Sequence, residues 1–182
     1  MYSIGIIVPY FGKFPEYFPA WLSSAGHNKN IDFLIFTDNE ETYDYPKNVQ
    51  VTVMKFEDLE KKFQEKYDFK IALNNPYKLC DFKPAYGDIF SDELKNYDYF
   101  GYCDLDVIFG NIRKFITDEI LQEYDKIFSR GHLCIIKNQP ELIQLYKEKL
   151  NGINLYSSIF QDPENRTFDE KYYSDGGDKW NI

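Results

Sequence analysis

Two carboxylates spaced i, i+2 close an aromatic run at residues 97–110, Tyr-Asp-Tyr-Phe-Gly-Tyr-Cys-Asp-Leu-Asp-Val-Ile-Phe-Gly, and these are the residues of the chain best suited to chemistry. Strand side chains alternate faces, so Asp104 and Asp106 would project to one side and could jointly hold a hard divalent cation, Mg²⁺ or Mn²⁺, through oxygen. Without a cation, two acids at a strand end repel unless they share a proton. A metal held there would suit a diphosphate.

A second candidate region precedes it. Residues 76–88, Pro-Tyr-Lys-Leu-Cys-Asp-Phe-Lys-Pro-Ala-Tyr-Gly-Asp, mix charged and aromatic side chains without clear helical or strand periodicity. Lys78 and Lys83 could approach a phosphate while Asp81 orients one of them or accepts from a sugar hydroxyl. Surface charges around an aromatic anchor would read the same way. Asp38, at the end of an apolar run, could accept from a base or ribose or simply cap a turn. His132, after Gly131, could touch phosphate or metal, although a lone histidine in a turn is more often incidental.

The elements that must carry these residues alternate between strand and helix. Residues 3–8 and Ile31 to Phe36 read as buried strands, and Phe18, Trp21, Leu22 and Ala25 as one face of a helix closing at Gly26. Val49, Val51 and Val53 alternate with Gln50 and Thr52, which suggests a strand near a sheet edge. Leu59, Phe63 and Tyr67 mark a surface helix. Thr117 or Asp118 can cap a helix turning Ile116, Ile120, Leu121 and Tyr124 inward, and Lys126 to Ser129 and Leu133 to Ile136 read as short strands. Asn138 is expected to cap a helix with Leu142, Leu145, Tyr146 and Leu150 on one face. The expected fold is a single α/β domain with a mainly parallel central sheet and helices on both faces.

Composition narrows the function classes. The chain has 182 residues, 43% hydrophobic, enough for one domain with a real core. A net charge of −9 argues against nucleic acid and against docking on anionic lipid, both of which need clustered Lys and Arg. Cys80, Cys103 and Cys134 are widely spaced in apolar company, as expected of reduced thiols in a cytoplasmic protein. The first residues lack the basic region and long apolar core of a signal peptide. Contact with a membrane is expected to be peripheral at most, at its inner face.

With these stretches in view, the sequence resembles the GT-A glycosyltransferases, and within them bacterial enzymes of capsular or cell-surface polysaccharide synthesis. The resemblance lies in Ile-Ile-Val-Pro-Tyr-Phe-Gly, Phe-Thr-Asp-Asn, Tyr-Lys-Leu-Cys-Asp-Phe-Lys-Pro, Tyr-Cys-Asp-Leu-Asp-Val-Ile-Phe-Gly, Arg-Gly-His and Phe-Asp-Glu, from residue 4 to about residue 170. It implies a GT-A-like domain over residues 1–182 that moves a sugar from a nucleotide-diphosphate donor, UDP above others, to a glycan or lipid-linked glycan acceptor with Mn²⁺ or Mg²⁺. On that resemblance Pro9, Tyr10, Phe11 and Asp38 would hold base and ribose, and Lys78, Asp81 and Lys83 donor phosphate or sugar. Asp104 and Asp106 would hold ribose and metal, and Gly131 and His132 would lie by the donor sugar. Asp169 or Glu170 would face the acceptor, either serving as base if the reaction inverts. Enzymes of this kind are longer, and many complete the metal site with a histidine near the C-terminus. None follows His132 here, so the domain is expected to be truncated or to leave that position to water.

Two other readings fit the same acids. A phosphatase of the haloacid dehalogenase type would use Asp104 as nucleophile and Asp106 as acid/base, with Ser129, Asp175 and Asp178 in support. That motif normally opens a chain, whereas here about a hundred residues precede it. A non-catalytic nucleotide-sugar-binding subunit would bind without turnover.

Overall fold

Ile4–Pro9 (β1), Asp32–Thr37 (β2) and Tyr99–Cys103 (β4) are nearly continuous apolar runs because both faces of their sheet are covered. Val49–Val53 (β3), Lys126–Ile127 (β5) and Leu133–Lys137 (β6) complete a six-stranded sheet in the order β3-β2-β1-β4-β6-β5. The computed structural model describes residues 1–128, 131–150 and 152–169. β3 lies at an edge, as its alternation suggested.

Side-chain alternation sorts the strands into two cores. Ile7, Leu34, Phe36, Phe100, Tyr102 and Cys134 face one side, where they meet Leu59 and Phe63 of helix α2 (Phe56–Gln64), the short turns between Pro76 and Leu94, and the Leu155–Gln161 helix. Ile6, Val8, Phe33, Ile35 and Ile135 face the other, under Phe18, Trp21, Leu22 and Ala25 of helix α1 (Phe18–His27) and Leu121 of the Asp118–Glu123 helix. Gly101 lies on that second side, paired with Ile6 and Ile135. A Cβ there would sit 2.3 Å from the Cys134 carbonyl oxygen and 2.7 Å from Ile6 Cδ1, so the close approach requires glycine.

The sheet is mixed. β1 pairs in parallel with β2 and β4, and β2 with β3, but β6 runs antiparallel to β4 and to β5. The short connection from Ile127 to Leu133 accounts for the β5–β6 pair, since it can close a hairpin but cannot make the crossover of a dozen or more residues that a parallel pair needs.

One helix expectation fails, and a second, the helix capped by Thr117, holds except at its last residue. The Asn138 helix is one α-turn, Pro140–Ile143, followed by a 3-10 turn, Leu145–Lys147, with Gln139 at its N-cap. Asn138 instead donates its amide to the carbonyls of Leu94 and Tyr97, and Leu150 bridges to Ile153 in a turn where Gly152 adopts φ +81°. The Asp118–Glu123 helix buries Leu121, but Tyr124 at its end is exposed. Among the described residues no helix is long and apolar enough to cross a membrane.

Candidate functional site

Strand order reverses beside β1: the chain goes from β1 outward through β2 and β3, then returns to place β4 on the other flank. In open α/β sheets such a switch leaves a crevice beyond the carboxyl ends of the two flanking strands. The residues that leave β1 and β4 there, Val8 to Phe11 and Cys103 to Asp106, line a cavity of about 540 Å³. That lies within the roughly 300–1,000 Å³ typical of small-molecule sites.

Cys103 ends β4, so Asp104 and Asp106 belong to the following bend and not to the strand. They are also less buried than their apolar neighbours suggest: Asp104 keeps 29% side-chain exposure and Asp106 is exposed. The bend is held from α1. Trp21 Nε1 donates to the Asp104 carbonyl at 3.2 Å, while Asn28 donates to the Gly110 carbonyl at 2.9 Å and accepts from Ile112 N at 2.8 Å.

Antiparallel pairing supplies the third member. Cys103 stands opposite Leu133, and the next rung follows with Asp104 N donating to the His132 carbonyl at 3.2 Å. Cross-strand partners have neighbouring Cβ atoms, which turns the exposed imidazole toward the acids. His132 Nδ1 lies 3.5 Å from Asp104 Oδ2, and one ligand atom from each of Asp104, Asp106 and His132 falls within 4.8 Å of the others. Opposite ligands on Mg²⁺ are about 4.2 Å apart, so small side-chain adjustments would close the group on such an ion. Two carboxylates and an imidazole fit Mn²⁺ well; an all-oxygen set would be more typical of Mg²⁺.

Lys83 links this group to the opposite wall. Its Nζ lies 2.7 Å from Asp104 Oδ1 and 3.0 Å from Asp169 Oδ2, and donates to the Gly131 carbonyl at 3.3 Å. Burial opposes its charge, but the carboxylates of Asp169 and Asp104 outweigh burial and hold its pKa above the usual lysine range. Asp169 is buried and lines the cavity. Burial pushes the thiol of Cys80, on the same wall, up to about 11, which suits a packing residue and not a nucleophile.

Residues 6–180 match a family of unknown function, DUF6625. This chain belongs to the DUF6625 family. No curated protein matches it.

Of the residues expected at the site, this DUF6625 chain brings Pro9, Tyr10, Phe11, Lys83, Asp104, Asp106 and Asp169 to one cavity. Tyr10 stacks on Phe14 and Phe11 meets Phe56 edge-on, so both rings are engaged by the protein. Gly131 contributes its carbonyl to Lys83, and His132 stands with the two acids. Asp38 lies off the cavity wall, where it accepts from Gly12 N at 2.6 Å; Gly12 turns the chain out of β1 at φ +99°. This is the turn-capping alternative.

Lys78 and Asp81 are buried and bonded to each other and to protein backbone, so their charges face inward and not toward a donor. Glu170, Ser129, Asp175 and Asp178 lie outside the described residues.

The sequence reading missed Tyr17, Tyr77, Asn165 and Thr167, which also line the cavity. Tyr17 and Tyr77 are 50% and 72% exposed. Among the described residues neither ring packs against another ring. The signal for Tyr77 was present in the charged and aromatic mixture of residues 76–88, but that mixture does not show which side chains turn outward.

Proposed function

We propose that this protein is a metal-dependent glycosyltransferase with a GT-A-like catalytic domain, using a nucleotide-diphosphate sugar, UDP above others, and a glycan or lipid-linked glycan acceptor in cell-surface polysaccharide synthesis. The observation that carries the reading is the convergence of Asp104, Asp106 and His132, the two acids lying in the wall of the β1/β4 crevice. Mn²⁺ or Mg²⁺ held by these three side chains would neutralise charge on a diphosphate.

The other residues fall into complementary roles. Lys83, fixed between two carboxylates, gives the cavity a cation for a donor phosphate. Pro9, Tyr10 and Phe11 form the wall for base and ribose, and the open rings of Tyr17 and Tyr77 offer faces to a sugar or base. In the transfer an acceptor hydroxyl oxygen bonds to the anomeric carbon as the bond from that carbon to the diphosphate oxygen breaks, its electron pair leaving with the diphosphate. If the reaction inverts, Asp169 takes the acceptor proton.

The test is incubation of the full chain with UDP-sugars, Mn²⁺ and an acceptor glycan. Free UDP and an extended glycan support transfer. Nucleotide binding without turnover would replace it by a binding subunit, and orthophosphate release from phosphomonoesters by a phosphatase. Asp106→Asn should abolish Mn²⁺-dependent UDP binding with the fold intact; retained metal-dependent binding would overturn the proposed site.

A further inference from the structure

Lys78 and Asp81 put two charges in the core, and their bonds all serve the protein. Lys78 Nζ meets Asp81 Oδ2 at 2.7 Å and donates to the carbonyls of Ile159 at 3.0 Å and Glu164 at 2.6 Å, which uses its three donors. Asp81 also accepts from Arg166 N at 2.8 Å and Phe168 N at 2.9 Å. A buried ion pair gives little stability by itself, because desolvation offsets its attraction. Here the pair satisfies four backbone groups between Ile159 and Phe168. Beyond Gln161 that backbone has no helix or strand among the described residues to satisfy it.

The same stretch forms part of the cavity wall. Asn165, Thr167 and Asp169 line it, and Asp169, next to Phe168, reaches Lys83. Asn165 also donates to the Tyr77 carbonyl at 3.2 Å, a second tie to the segment that carries Lys78.

We propose that Lys78 and Asp81 are positioning residues, a clip that holds residues 162–169 against the cavity and thereby sets Asp169 against Lys83. The clip follows from these bonds whether or not a nucleotide-sugar is the ligand. It also bears on cation binding. Lys83 is shared between Asp169 and Asp104. With the clip open, Lys83 loses Asp169 and is drawn onto Asp104, where it competes with a cation for the same carboxylate.

Amide hydrogen exchange on the full chain tests the clip. In the wild type the amides of Arg166 and Phe168 should exchange slowly, with those of the sheet. In Asp81→Asn, which keeps the size but loses the charge, they should exchange about tenfold faster or more while β1 and β4 stay protected. Open-loop rates in the wild type would overturn the proposal without any variant, as would unchanged rates in a folded Asp81→Asn.

Mn²⁺ titration supplies a readout that loss of packing alone would not produce. Asp81→Asn should weaken Mn²⁺ binding, and adding Lys83→Met should restore it to the level of Lys83→Met alone. Failure of that rescue overturns the competition. If the wild type binds no Mn²⁺, the metal reading under the proposed function fails, and the exchange rates still decide the clip.

Discussion

Asp104 and His132 are joined through their backbones, the amide of one donating to the carbonyl of the other at 3.2 Å across the β4–β6 ladder. The contact between imidazole and carboxylate is therefore built on sheet register and not on a chance approach of loops. It supplies the third member of the proposed ligand group from the turn that enters a strand running against its neighbour.

His132→Ala should therefore weaken Mn²⁺ more than Mg²⁺, because imidazole contributes more to the softer ion. The exposed side chain makes the substitution nearly neutral for stability, within about 0.5 kcal/mol. Calorimetric titration of both ions against wild type and variant checks this. Unchanged affinity for both ions would remove His132 from the ligand set.

Lys83→Met removes the cation from between two carboxylates. Leaving them uncompensated should cost roughly 3–5 kcal/mol, as for other broken buried pairs. If Asp104 is a metal ligand, Mn²⁺ should return part of that loss by binding only the folded form. Urea denaturation with and without Mn²⁺ measures both effects.

Tyr77→Ala should leave the melting temperature almost unchanged, since the ring is 72% exposed and packs on no other ring among the described residues. Its effect should appear in ligand binding, weaker by about 1–3 kcal/mol if a base or sugar ring stacks there, by analogy with aromatic stacking platforms for nucleobases. Tyr77→Phe should behave as wild type. Thermal shift across nucleotide-sugars compares all three proteins.

Asp88 gives a pH prediction. Burial raises its carboxyl pKa, but hydrogen bonds from Lys147 and Tyr146 outweigh that and hold it below the ordinary aspartate range. A depressed folded pKa contributes stability that is fully present above the unfolded value, about 3.9, and is lost as pH falls through the folded value. Asp88→Asn should lower stability at neutral pH by about 1–2 kcal/mol and flatten the acid limb of the stability profile. Denaturation midpoints from pH 7 down to about 2.5 would show it.

Much of the frame could be read from the chain because burial imposes period. β1, β2 and α1 are long enough to show theirs, and Val49 to Val53 revealed an edge. The turns from Pro76 to Leu94 could not be read, because each is too short to complete a pattern. Lys78 and Asp81 looked like ligand groups because sequence shows charge but not what neutralises it. Their partners lie near residues 159–168, which spacing cannot reveal. His132 could be read only as a residue able to touch phosphate or metal, or to lie by the donor sugar, because its place beside Asp104 depends on the reversed direction of β6, a long-range property of the sheet.

The cavity draws its walls from distant parts of the chain, with Val8 on one side and Asp169 on another, whereas the proposed ligands all fall between positions 104 and 132. Long-range contacts of this kind carry the larger loop-closure cost and form late. As the chain emerges during synthesis, the β4–β6 pair that brings Asp104 to His132 can form before residues 162–169 exist. A chain cut just ahead of residue 162 would keep Asp104, Asp106 and His132 but lose Asp169, leaving Lys83 to Asp104 alone, so both the cavity wall and the competition at the proposed cation site depend on a segment made after those three side chains.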